Sequence, residues 1–206
     1  MGYDLYGLTP NNEPRPDVNW NDELTVKAYF AYQKNTKGAY FRSNVWFWYP
    51  LWDYVSLICD DILSEEDMIN GNSNAGHIID KKKAKQISSK INKAIKSGEL
   101  NQYSVKHEKK RISLPKEECY ICNGVGTRKE WFGWQTEAEW LKYHDTLEPS
   151  SSSNSSSYEW ANKCNGCNGC KGTGKKEHSS ASYRFDEDLV KEFADFCKHS
   201  GGFQIS

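Results

Sequence analysis

Two copies of one short pattern, Cys-x-x-Cys-x-Gly-x-Gly, stand in the C-terminal half of this 206-residue chain. The first is Cys119-Tyr-Ile-Cys122-Asn-Gly124-Val-Gly126; the second is Cys167-Asn-Gly-Cys170-Lys-Gly172-Thr-Gly174. A thiol pair separated by two residues can bind one soft metal ion, and two such pairs complete a tetrahedron. The trailing glycines let the backbone turn back and direct N–H groups at sulfur, which tempers the negative charge of four thiolates. Lys163, Lys171, Lys175, Lys176, Arg128 and Lys129 flank the pairs and act in the same direction. The expected occupant is one zinc ion held by Cys119, Cys122, Cys167 and Cys170. Four thiolates leave no position for water, so the expected role of that zinc is structural. Cys164 permits a rival register, Cys164 with Cys167, but that register lacks the Gly-x-Gly tail, and Cys167 with Cys170 is preferred.

The rest of the chain carries no constellation that reads as catalytic. His77, His107, His144, His178 and His199 are scattered, with no nucleophile or carboxylate beside them at motif spacing. Neither a Gly-x-Ser-x-Gly elbow, nor a phosphate-binding loop, nor His-Glu-x-x-His occurs. The reading therefore leans away from an enzyme. Tyr40, Phe41, Arg42, Asn44, Trp46, Trp48 and Trp52 form an intensely aromatic segment. Most of these rings suit a core, but Arg42 and Asn44 among them suit a pocket for a planar or phosphorylated ligand, or for a partner protein. The expected binding surface is Tyr40, Arg42, Asn44, Trp46, Trp48 and Trp52.

These residues need elements to hold them. Residues 1–8 alternate loosely, as a short strand does. Residues 24–33 are rich in β-branched and aromatic side chains and read as a strand, with a short helix as the alternative. Pro50 suits the first turn of a helix. Beyond it Leu51, Val55, Ile58, Cys59, Ile62 and Leu63 share one face, which implies an end near Ser64. Asp80 caps a helix that Gly98 closes, with Ala84, Ile87, Ile91, Ala94 and Ile95 on its apolar stripe. Thr136 and Glu139 make a capping box for a helix reaching Leu147. Leu189, Val190, Phe193, Phe196 and Cys197 define a helix over 186–199, stopped by Gly201 and Gly202, and Phe203–Ile205 follows as an edge strand. Cys59 and Cys197, on apolar faces, read as core residues. Residues 149–157 are serine-rich and make a flexible tether.

The element order is that of an α+β protein: a compact, helix-rich domain with a small sheet. Residues 1–112 and 180–206 form that domain, and residues 113–179 are an inserted zinc-knuckle module containing the tether. The wide apolar face of the 186–199 helix needs a partner that only the N-terminal region supplies.

Composition narrows the partners. The net charge of −1 favours neither nucleic acid nor an anionic membrane. The lysine-rich stretch 81–110 reads first as the solvated face of an amphipathic helix; no aromatic interleaves with its lysines. No apolar run reaches the length of a membrane span, and the N-terminus lacks a signal-peptide layout. Seven cysteines, four of them at metal spacing, fit a reducing compartment. A soluble cytoplasmic protein is expected.

Two resemblances extend this reading. The octapeptides resemble the zinc-binding region of DnaJ-type co-chaperones. That likeness covers only the two repeats, where those proteins carry four and also a His-Pro-Asp tripeptide absent here; it implies one knuckle pair holding one zinc. A longer resemblance rests on Met1-Gly-Tyr-Asp4-Leu-Tyr-Gly7, Tyr40-Phe-Arg42-Ser-Asn44-Val-Trp46-Phe-Trp48-Tyr-Pro50-Leu-Trp52, Asn72-Ser-Asn74-Ala-Gly76 and Ser200-Gly-Gly-Phe203-Gln-Ile. These look like a family of small uncharacterised proteins of bacteriophages and some bacteria. The resemblance implies a phage or prophage accessory protein in the cytoplasm of a bacterial host. The expected partners are a host protein or a small nucleotide signal, with counter-defence as the purpose. The alternative is a nucleic-acid-binding zinc protein.

Overall fold

A computed structural model describes residues 2–12, 15–126, 167 and 169–206. The chain separates into two compact units, Met1–Ile112 with Ser182–Ser206, and Ser113–Ala181. The fold is α+β. The expected helix over 136–147, the tether over 149–157, Cys164, Lys163, Arg128 and Lys129 lie outside the described residues.

The first unit is a four-stranded antiparallel sheet with helices packed against one face. Strand β1 (Gly2–Gly7) pairs with β2 (Tyr40–Asn44) and with β6 (Phe203–Ile205), and β6 pairs with β3 (His77–Ile79). In register, Leu5 faces Phe41 and Ile205, and Ile79 faces Phe203, so the buried face is continuous across all four strands. The C-terminal strand is therefore an inner strand and not the edge that the sequence suggested. β1 and β3 flank it, and Gly201 and Gly202 turn the chain into it.

Helix α4 (Lys81–Ser97) and helix α6 (Glu187–His199) form the largest helix–helix interface. Asp80 caps the first by accepting the Lys83 N–H, and Gly98 ends it in the left-handed region. Asp186 caps the second through the N–H groups of Asp188 and Leu189. Ala84, Ile87, Ile91 and Ala94 meet Val190, Phe193, Ala194 and Cys197 in the core, where Ser88 Oγ donates to the Ala194 carbonyl at 2.7 Å. Phe193 is fully buried among Phe41, Trp48, Phe196 and Phe203.

Three expectations are corrected. The segment read as a strand over 24–33 is helix α1 (Glu23–Asn35). Asp22 accepts the Leu24 N–H, and Glu23 pairs with Lys27 one turn on; these local contacts outweigh a β propensity that has no cross-strand partner here. Helix α2 (Val45–Ile58) starts five residues before Pro50, because Asn44 Oδ1 accepts the N–H groups of Trp46 and Phe47. Pro50 thus lies inside the helix, at the cost of the bond that its missing N–H would make to Trp46. The helix ends at Ile58, and Ser64 opens a new one, α3 (Glu65–Asn70), through a capping box with Asp67. Helix α5 (Glu99–Ile112) went unread because only Leu100 on it is buried, which leaves little apolar periodicity.

Asp67 ties three of these elements together. It is buried, and it accepts from Ser64 N–H and Oγ, from His77 Nε2 at 2.9 Å and from Lys83 Nζ. Burial pushes its carboxyl up, but the donors from Lys83, Ser64 and His77 outweigh this and hold it well below the usual carboxylate range. Among the described residues, no helix is long and apolar enough to cross a membrane.

Candidate metal centre

Among the described residues of the second unit, burial is centred on thiols. Its buried cluster consists of Cys119, Cys122, Cys167 and Cys170, with Ile121 packed against it. Strand β4 (Glu117–Glu118) leads into the first knuckle and strand β5 (Lys175–Lys176) leads out of the second; they pair antiparallel with Glu117 opposite Lys176 and Glu118 opposite Lys175. Opposite charges on facing positions support the pairing. Glu117 also accepts from the Ser179 N–H at 3.2 Å and lies 3.1 Å from His178 Nε2.

The two knuckles are joined by reciprocal bonds that repeat the sequence duplication in space. The Cys119 N–H donates to the Gly174 carbonyl at 2.8 Å, and the Cys167 N–H donates to Gly126 at 2.6 Å. Within each knuckle the first glycine of the Gly-x-Gly tail turns back on the first cysteine: Gly124 N–H reaches the Cys119 carbonyl and Gly172 N–H reaches the Cys167 carbonyl, both at 3.2 Å. The Gly126 N–H then donates to Cys122 Sγ at 3.3 Å, and the Gly174 N–H to Cys170 Sγ at 3.2 Å. Both glycines are in the left-handed region, at φ 80° and 72°. A Cβ on Gly126 would lie 2.4 Å from the Gly172 carbonyl oxygen, and one on Gly174 would lie 2.1 Å from that of Gly124. Any side chain there would push the knuckles apart.

The sulfur geometry fits a metal. All four Sγ atoms lie within 4.8 Å of one another. Cys119 and Cys167 are 3.9 Å apart at sulfur, and Cys122 and Cys170 are 3.7 Å apart. A tetrahedron with metal–sulfur bonds of about 2.3 Å requires sulfurs about 3.8 Å apart. A disulfide needs about 2.05 Å, and none of these cysteines is so bonded. Burial pushes the Cys122 thiol up to about 11, and the neighbouring thiols add to this against one N–H from Gly126. At Cys170 burial acts in the same direction, but the Gly174 N–H and the three other thiols prevail and bring it down to about 7. Without metal the quartet therefore shares protons unevenly; a bound cation would strip them all. The described members of the flanking basic group are Lys171, Lys175 and Lys176, and Lys176 sits 4.3 Å above the Tyr120 ring.

The aromatic segment divides between core and surface. Trp48 and Trp52 are 0% exposed; they stack on each other at 5.5 Å, and their indole N–H groups donate to the carbonyls of Gly71 and Met68. They cannot line the binding surface expected of them, because the sheet and α3 enclose both rings. Asn44 is the cap of α2. Tyr40 and Arg42 lie on β2, where both engage Asp4, Tyr40 through its hydroxyl and Arg42 Nε at 3.5 Å. Trp46 alone of the tryptophans in this group is open, at 47% exposure, and its ring meets Tyr183 at 5.1 Å, while Tyr49 lies 5.6 Å from the same tyrosine. Tyr183 is invisible to a reading of the segment itself, since it arrives from the far end of the chain. No family model, curated protein or solved structure matches this chain.

Proposed function

We propose that Cys119, Cys122, Cys167 and Cys170 hold one structural zinc ion, and that the chain is a non-enzymatic interaction protein of phage or prophage origin. It binds a host protein or a small nucleotide signal in the cytoplasm of the bacterial host and blunts a defence system. The zinc assignment is carried by four buried sulfurs at the spacing of a tetrahedral site. Four thiolates, backbone N–H donors on two of them and a borderline-soft cation suit one another, and the site has no open position for a reacting water.

The interaction reading rests on what remains accessible of the aromatic segment: Trp46 on the Tyr183 ring, with Arg42 exposed on β2. A half-exposed tryptophan braced by tyrosines is the type of residue that anchors an interface. The phage origin and the counter-defence purpose rest on the sequence resemblance. The nucleic-acid reading draws on the exposed lysines of α4 and α5, such as Lys82, Lys93, Lys106 and Lys109.

Capture from bacterial lysate, run beside thermal-shift screening of nucleotides, separates these readings. The expected result is a partner or nucleotide whose binding survives raised salt and is lost in Trp46→Ala. Retention of every interaction in folded Trp46→Ala and Arg42→Ala would return the segment to the core. Tight binding of DNA or RNA that weakens steeply with salt would put the nucleic-acid reading first.

A further inference from the structure

The core takes one face of the four-stranded sheet. Strand alternation sends Asp4, Tyr6, Tyr40, Arg42, Gln204 and Ile78 to the other face. The register gathers four of these into one row. Tyr40 faces Tyr6, Tyr6 faces Gln204, and Gln204 faces Ile78, so the row crosses all four strands. At the usual strand spacing it spans about 14 Å. Arg42 and Asp4 face each other in the adjoining row.

Neighbouring groups hold these side chains in place. Tyr40 donates its hydroxyl to Asp4, and Arg42 Nε lies 3.5 Å from the same carboxylate oxygen. Gln204 Nε2 donates to the Gly76 carbonyl at 3.3 Å. The Tyr6 and Tyr40 rings lie 5.5 Å apart and tilted by 46°, so they are not stacked face to face. Arg15 places its guanidinium 5.5 Å from the centre of the Tyr6 ring, and the Arg42 side chain is 67% exposed. Burial, then Asp4 and Tyr29, raise the Tyr6 hydroxyl against the two arginines, which sets all of these groups beside it. Tyr29 belongs to α1, and the exposed Trp20 meets its ring edge-on at 5.8 Å.

From two tyrosine rings side by side on a sheet face, with a guanidinium group beside each, we infer that this face binds an unpaired stretch of nucleic acid. A four-stranded antiparallel sheet with rings on one face can hold two or three successive bases. Every base has a π-face, so Tyr6 and Tyr40 accept bases with little regard to sequence. Arg15 and Arg42 complement the phosphates, and a guanidinium plane also stacks on a base. Asp4 offsets one of these two charges, and its carboxylate aligns Tyr40 and Arg42. A protein partner would meet hydroxyl tips, an amide and charged forks here, with Ile78 as the aliphatic anchor of the row. The inference goes beyond the reading above and shares only Arg42 with it, since the Trp46 ring meets Tyr183.

The test is fluorescence anisotropy of the full zinc-loaded chain with labelled octamers of uridine and of thymidine, and with a duplex of equal length. The expected result is saturable binding of single strands with Kd on the order of 10 µM at low salt. Two phosphate contacts give a log–log salt slope of about −1.4. Binding of either octamer supports the inference, and their ratio reports which sugar is preferred. Tyr6→Leu and Tyr40→Leu should each weaken binding by roughly fivefold or more. Arg42→Gln should weaken it too and bring the slope to about −0.7. Lys93→Gln with Lys106→Gln, and Trp46→Ala, should leave it unchanged. These side chains lie outside the core cluster, and circular dichroism checks each fold. Should Tyr40→Leu unfold, Tyr6→Leu and Arg42→Gln still decide. Absence of binding to both octamers, preference for the duplex, or full affinity in folded Tyr6→Leu would overturn the inference. So would loss confined to the lysine variant. A host protein captured by the wild type and lost in Tyr6→Leu, with no oligonucleotide bound, would make this face a protein interface and overturn it as well.

Discussion

The two units solve the same problem with different means. The first closes a sheet with α2, α4 and α6 over a core of Leu5, Trp48, Ile87, Phe193 and their neighbours, all fully buried. Among the described residues of the second, the buried cluster is four cysteines with Ile121 packed against them. Apolar burial of roughly 25 cal/mol per Å² can hold the first together. What the second has instead is a set of sulfurs already at the spacing of a metal site and a paired backbone around them. On the proposed reading, the first unit folds by its own chain and the second is organised by the metal that its four thiols would hold.

The largest effect should come from removing a ligand. Structural zinc contributes about 10–16 kcal/mol in comparable small sites, so Cys119→Ser or a strong chelator should unfold the second unit outright. Hydrogen exchange would show protection lost at residues 117–126 and 169–176 while the amides of α4 keep theirs. Loss of protection in both places would collapse the distinction. The reciprocal experiment is Phe193→Ala, which should cost the first unit about 3–5 kcal/mol and leave the bound metal unchanged.

Asp67 sharpens the contrast through pH. Its carboxyl is held low in the folded state, so its contribution is present above the unfolded value of about 4 and is lost as pH falls below it. Urea denaturation should therefore show the first unit weakening on acidification from pH 6 to pH 3. Asp67→Asn should cost about 1.5–3 kcal/mol at neutral pH and flatten that dependence. An unchanged slope in the variant would remove Asp67 from the account. The smallest effect is expected at Gly98, which sits at φ 80° with nothing within 4 Å of an added Cβ. Gly98→Ala should cost only the backbone term, about 1–2 kcal/mol.

Local signals carried much of this from the sequence. The cysteine spacing, the Asp80 and Asp186 caps and the apolar faces of α4 and α6 are patterns within a few residues of one another, and each reads directly. What failed to read depended on distant partners or on local competition. α1 looks like a strand until Asp22 caps it, and α2 starts before Pro50 because Asn44 supplies its first acceptor. Trp46 and Trp48 are two residues apart, yet one meets Tyr183 at the surface and the other is enclosed beneath Gly71. The mutual bonds of the knuckles, Cys119 to Gly174 and Cys167 to Gly126, span the whole insertion. No short window of sequence contains either.

The central claim is that the second unit is organised by one tetrathiolate zinc. Metal analysis of protein purified without chelator, combined with X-ray absorption at the zinc edge, tests it most directly. The account predicts one equivalent of zinc with four sulfur neighbours at about 2.3 Å. Protein that is free of metal and yet retains exchange protection at residues 117–126 and 169–176 would contradict it.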